Sequence, residues 1–230
     1  MRKVLGAVTA LVVALGAAAF LGLPGATAQG GGTIEAEVKY SGPAQVDKLK
    51  VNKDTEKCGT EAMIEKVVVG GNKGLANAVV SVPAAKSGGK AAKATIDQHG
   101  CKFVPHVVVM SPGELELKNS DDILHNIHTY STANPSINKA QPKFKKVMTE
   151  KLEKPEYVKL TCDVHSWMLG WVAVTTGPAA VTDGTGVAKL ENVPAGKQKV
   201  EVWHETLGKQ EKEVDVKAGQ TTKVSFEMKK

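Results

Sequence analysis

Beyond residue 30 the chain runs in short apolar or alternating segments separated by Gly, Pro, Asn and Asp. Residues 33–40, 78–82, 106–110, 115–119, 126–130, 157–162 and 171–175 read as strands. Their β-branched residues suit a pleated, half-buried surface, and breakers flank each run. No long stretch after the N-terminal segment keeps a helical period, so the pattern predicts an all-β chain built as sandwiches or barrels. Near Gly177-Pro178 the pattern restarts. Residues 200–203, Val214-Asp-Val216 and Val224-Ser-Phe226-Glu-Met228 then read as half-buried strands after two Gly-containing turns. A domain boundary is placed there, giving 29–176 and 177–230, with the strands before residue 95 assigned to the first domain.

Two segments read as loops. Residues 83–94 are rich in Ala, Gly and Lys. Residues 134–146 carry Lys139, Lys143, Lys145 and Lys146 with Pro135 and Pro142. This charge run is either a solvated face or a basic docking rim.

The first 28 residues are set apart. Met1-Arg2-Lys3 is a basic head, residues 4–23 contain no charge, and Ala26-Thr27-Ala28 supplies small residues for a peptidase. The expectation is a signal peptide cleaved before Gln29, an exported or periplasmic protein, and no membrane span in the mature form. An uncleaved anchor is the alternative, because the uncharged stretch is long enough to cross a bilayer. The formal charge of +6 drops to +4 without Arg2 and Lys3. That mild excess suits an acidic protein partner or an anionic surface. Without a basic, aromatic-rich stretch, it does not suggest nucleic acid.

The densest chemistry lies in Cys162-Asp-Val-His165-Ser-Trp-Met168, just before an apolar strand. Thiolate, imidazole and thioether on one loop suit a copper ion that changes oxidation state. His125, at the end of the polar turn Asn119-Ser-Asp-Asp-Ile-Leu, offers a second imidazole. Zinc would accept the two histidines and the thiolate, but methionine is a poor fourth ligand for it. A Cys162/His165 nucleophile pair would need an orienting group and an oxyanion site that the sequence does not signal, so no enzyme is expected. With Cys162 in ligand context, Cys58 and Cys101 remain the disulfide candidates among the three cysteines, two free thiols being the alternative. His99, His106 and His128 would form a second metal site only if the fold gathered them. His204 reads as a strand residue.

Three pieces between Phe103 and Val174 resemble the cupredoxin family, and within it amicyanin and plastocyanin. They are Val104-Pro105-His106 leading through Pro112-Gly113 to Asn119, the His125-Asn126-Ile-His128 motif, and Cys162-Asp-Val-His165-Ser-Trp-Met168-Leu-Gly170. The resemblance implies a Greek-key β-sandwich holding one type 1 copper ion through His125, Cys162, His165 and Met168. It also implies that Asn126 braces the ligand loop, although a turn or edge residue would look the same in sequence. Trp167, Trp171 or both are expected to pack over the site and limit water, although core packing alone would look the same in sequence. Leu124 stands where the family has proline, and Asp163 places a charge inside the loop. The tail resembles carboxypeptidase regulatory-like or transthyretin-like domains through Thr182-Asp-Gly184-Thr-Gly186 and Asn192-Val-Pro194-Ala-Gly196. The function implied is single-electron transfer between periplasmic redox partners, such as a cytochrome or an oxidoreductase. A copper chaperone or store, or a partner-binding assembly module, is the alternative.

Overall fold

The computed structural model describes residues 30–85 and 94–230. The expected signal peptide and its cleavage point, and most of the loop expected over 83–94, lie outside them. Eighteen strands occur among the described residues, with one four-residue helix, Thr55–Cys58, and one short 3-10 turn. No helix among these residues is long and apolar enough to cross a membrane.

Nine strands form the central unit, as two sheets. One runs in the order Asn138–Gln141, His125–Tyr130, Glu156–Thr161, Leu169–Val174, Val107–Met110. The other runs Val147–Leu152, Gly113–Asn119, Ala94–His99, Lys102–Val104. The apolar positions read from the sequence alternate between faces. Leu115, Leu117, Ile127, Val158, Leu160 and Val172 point into one shared core, as the period of two requires. Segment 134–146, expected as a loop, contains the strand Asn138–Gln141. Its polar sequence hides it, and its position is secured by the Gln141 amide, which is fully buried. That amide donates to the carbonyls of Leu117 and Lys145 and accepts from Gln98 Nε2.

A split unit is assembled from both ends of the chain. Gly32–Tyr40 lies between Val187–Val193 and Thr221–Met228, antiparallel to the first and parallel to the second. A second sheet runs Ala179–Val181, Val79–Ser81, Gly196–His204, Gly208–Val216. Ile34, Ala36 and Val38 from one sheet and Val80, Val200 and Val202 from the other share a core. This corrects the assignment of the early strands to the domain 29–176: residues 32–40 and 79–81 pair with strands beyond residue 177. The reason is geometric. Alternation shows that 33–40 has one buried face, but it carries no information about which sheet covers that face.

The two units meet through opposite faces of the same strands. Val80 points into the split core while Val79 points out of it, against Val107 and Ala173 of the central unit. Trp203 stacks on Tyr157 with ring centroids 4.3 Å apart and meets Trp171 edge-on at 5.1 Å. The carboxylate of Glu205 accepts from Trp171 Nε1 and binds His106.

Between the units lies a two-stranded hairpin, Gln45–Lys50 paired with Glu61–Val67, which joins neither sandwich sheet. Cys58 near its tip is bonded to Cys101 of the central unit, as the cysteine arithmetic expected.

Candidate metal centre

Strand register delivers the ligands. Thr161 pairs with His128, so the chain leaves Glu156–Thr161 into Cys162 beside the start of the neighbouring strand, where His125 stands. From Cys162 the chain makes a tight loop, closed by the Met168 N–H donating to the His165 carbonyl at 2.9 Å, and enters the next strand. Gly170 follows, and only glycine fits there: a Cβ would lie 2.9 Å from Phe103 Cβ.

This brings together three of the side chains singled out in sequence. His125 Nδ1 and His165 Nδ1 are 3.0 Å apart, and Cys162 Sγ lies 4.0 Å from the first and 3.8 Å from the second. Nitrogen and sulfur bonded to one ion at about 2.0–2.3 Å sit roughly 3–4 Å from each other, so these separations suit a shared cation. All three residues are buried, and Met168 is buried on the same loop within the same core. The cluster is a type 1 copper arrangement.

The outer imidazole edges show why the inner nitrogens are free to bind. His125 Nε2 meets Asp121 Oδ2 at 2.8 Å, and His165 Nε2 meets Asp54 Oδ2 at 2.8 Å. Each carboxylate takes the Nε2–H, which fixes the tautomer and turns the Nδ1 lone pair inward. Burial pulls the His125 imidazole below its ordinary pKa, against the pull of Asp121. Burial also opposes charge on Asp121, but donors at Cys101, His125 and Gly100 outweigh it and hold that carboxyl below its usual range. Burial pushes the Cys162 thiol up, although the Asn126 N–H donates to its sulfur at 3.3 Å. A cation is what would favour the thiolate here.

Asp54 does supply the orienting carboxylate that the sequence failed to signal for a Cys162/His165 nucleophile pair. The thiol is nevertheless only 2% exposed and raised in pKa. A nucleophile needs access and a depressed pKa, so the geometry is that of a metal ligand and not of a catalytic thiol.

Asn126 Oδ1 accepts the Asp163 N–H at 3.2 Å, and its Nδ2 donates to Asn138 Oδ1 at 2.8 Å. The Trp167 ring sits 5.1 Å from the His165 ring and is itself buried. His128 pairs with Asp163, and His106 binds Glu205 across the unit boundary. Among the described residues His99, His106 and His128 form no metal-ligating group. Sequence reasoning missed both carboxylates. Asp121, four residues before His125, was within reach of a close reading. Asp54 lies 111 residues from His165 with no local signal.

No family model matches the chain, and no curated protein does. Solved structures do. A copper-containing nitrite reductase from Thermus scotoductus overlaps 36% of this chain at 19% identity and TM-score 0.33, and the chain covers only 22% of that protein's length. A purple cupredoxin from Nitrosopumilus maritimus overlaps 36% of this chain and all of its own, at 20% identity and TM-score 0.31. Amicyanin from Paracoccus versutus overlaps 41% of this chain and 96% of its own, at 14% identity and TM-score 0.31. Such low scores add no weight of their own. The central unit is cupredoxin-like by its two sheets and by where they put the ligands.

Proposed function

We propose that this protein is an exported type 1 copper protein that carries single electrons between periplasmic redox partners. The observation that carries the reading is the buried convergence of two Nδ1 atoms on one thiol, with a buried methionine closing the loop. Copper, when bound, supplies a one-electron couple that this soft donor set accommodates in both oxidation states. In this reading His125, Cys162 and His165 are the strong ligands and Met168 the weak axial one. Asn126 ties the ligand loop to the neighbouring strand, and Trp167 keeps water from the His165 ring. The leader over residues 1–28 supports export, and the tail's resemblance to carboxypeptidase regulatory-like domains supports a non-catalytic accessory role for the split unit.

The partner surface we favour is the rim at 142–147. Gln141 pairs with His125, so this turn lies at the same end of the sheet as the centre. Phe144 is 82% exposed, Leu124 and Val147 are exposed too, and Lys143 and Lys145 make no ion pair among the described residues. Such a rim fits an acidic redox protein, whose encounter rate would fall with added salt.

The test is an optical spectrum of the processed protein loaded with Cu(II). An intense visible thiolate-to-copper band is expected, and a colourless complex would overturn the reading. Copper delivery, the competing role, predicts metal transfer to an acceptor apoprotein. Fast electron exchange with an acidic cytochrome and full retention of copper favours the carrier.

A further inference from the structure

The hairpin over 45–67 belongs to neither sandwich, yet it touches both. At its base Val67 is fully buried in the split core, and the Lys66 carbonyl accepts the Thr206 hydroxyl at 2.9 Å. At its tip Val51 and Ala62 are buried in the central core, and Cys58 is bonded to Cys101. In between, the strand Gln45–Lys50 is almost wholly exposed. A lone two-stranded ribbon is at best marginally stable in water, so its position depends on those two anchorages.

The tip is shaped to present one carboxylate. Asp54 adopts a left-handed conformation, φ 50° and ψ 38°, which Asp tolerates better than most residues. Its carbonyl accepts the N–H groups of Lys57 and Cys58, both at 2.9 Å, which makes a tight turn ending at the disulfide. Its side chain crosses to His165 Nε2. The other end of the same disulfide holds the second carboxylate: the N–H groups of Gly100 and Cys101 donate to Asp121, which binds His125 Nε2. One covalent bridge thus sits behind the outer edges of both imidazoles, and His125 and His165 are left with no measurable exposure.

We propose that this hairpin is an arm of the split unit that closes the copper site, with Asp54 as a positioning residue for His165, so that copper enters and leaves when the arm lifts. The inference rests on the copper reading above. It gives the split unit a task, because the arm is rooted in that unit's core. Lifting requires loss of the Asp54–His165 bond and of the apolar contacts of Val51 and Ala62. The Cys58–Cys101 bridge limits how far the tip can travel.

The experiment follows transfer of Cu(I) from the loaded full-length protein to excess bicinchoninate, for the parent, Asp54→Ala, Asp54→Asn and the double variant Cys58→Ser/Cys101→Ser. Removing a carboxylate that orients a metal-bound imidazole costs about 10–100-fold in metal affinity. Release from Asp54→Ala is therefore expected to be faster by a factor within that range. Asp54→Asn, which keeps an acceptor oxygen, should fall between, and the serine pair should match or exceed the alanine. The Cu(II) spectrum of Asp54→Ala should also shift, because His165 loses the carboxylate on its Nε2, and a residue that serves only the stability of the hairpin would leave that spectrum at the parent's. Should the serine pair fail to fold, Asp54→Ala decides alone. Release from Asp54→Ala at the parent rate, from a protein with the parent's visible band, overturns the arm and leaves the carrier reading standing. A parent without that band overturns both.

Discussion

Substitution of Asn126 by alanine separates a bracing side chain from an ordinary edge residue. The change leaves the Asn126 N–H on the Cys162 sulfur and removes two other bonds, to the Asp163 amide and to Asn138 Oδ1. A neutral hydrogen bond contributes about 1 kcal/mol net, and a donor left buried without a partner costs about 1–3 kcal/mol. The Asp163 side chain is 48% exposed, so water can reach part of the vacated site and the lower end applies. We expect metal-free Asn126→Ala to lose about 2 kcal/mol, the sum of those two bonds at the low end. For a folded segment of this length that is a fall of roughly 4–8 °C in Tm by calorimetry. Because the bond to Asp163 holds the loop between two ligands, copper affinity should fall about tenfold or more as well. A double-mutant cycle with Asn138→Ala should show a coupling of at least about 0.5 kcal/mol. Loss of stability without loss of copper affinity would refute the bracing role, and so would purely additive mutations.

Three further outcomes follow from groups away from the ligands. Burial holds the His204 imidazole down at about 4, whereas an unfolded histidine titrates near 6.5. Its contribution is complete above pH ~6.5 and lost as pH falls through about 4, on the order of 3 kcal/mol in all; urea midpoints of the parent should fall more steeply across that window than those of His204→Asn, and equal slopes would contradict the assignment. Burial opposes the Glu156 charge, but Ser131, Thr132 and Asn134 donate to it and carry its carboxyl down to about 2. Glu156→Gln should cost about 1–2 kcal/mol at neutral pH, a difference present above the unfolded value near 4.3 and erased as pH drops toward about 2. Trp203→Ala removes the ring stacked on Tyr157 and set against Trp171, and should cost about 2–3 kcal/mol, less than a fully buried tryptophan. It should also split one calorimetric transition into two, with the visible band unchanged, and a single unshifted transition would show that the interface contributes little.

The chain shows which features a sequence exposes and which it conceals. Cys162, His165 and Met168 were legible because one ion needs its ligands on one short loop, and that constraint is written in spacing. His125 was legible because it enters a strand from a polar turn. Asp54 was concealed, since its link to His165 depends on how a hairpin between two sandwiches happens to lie. The strand Gly32–Tyr40 was legible as a strand and illegible as to its sheet, for side-chain alternation specifies a face and not a neighbour. That ambiguity has a consequence for any division of the chain. Gly32–Tyr40 has both its neighbours beyond residue 177, so a cut at 176/177 would strip both edges of this strand and expose Ile34, Ala36 and Val38. The hairpin that carries Asp54 follows directly from that strand. A truncated protein would therefore keep every expected copper ligand and lose the support for the carboxylate behind one of them, so the metal centre extends further through the chain than its ligand motifs do.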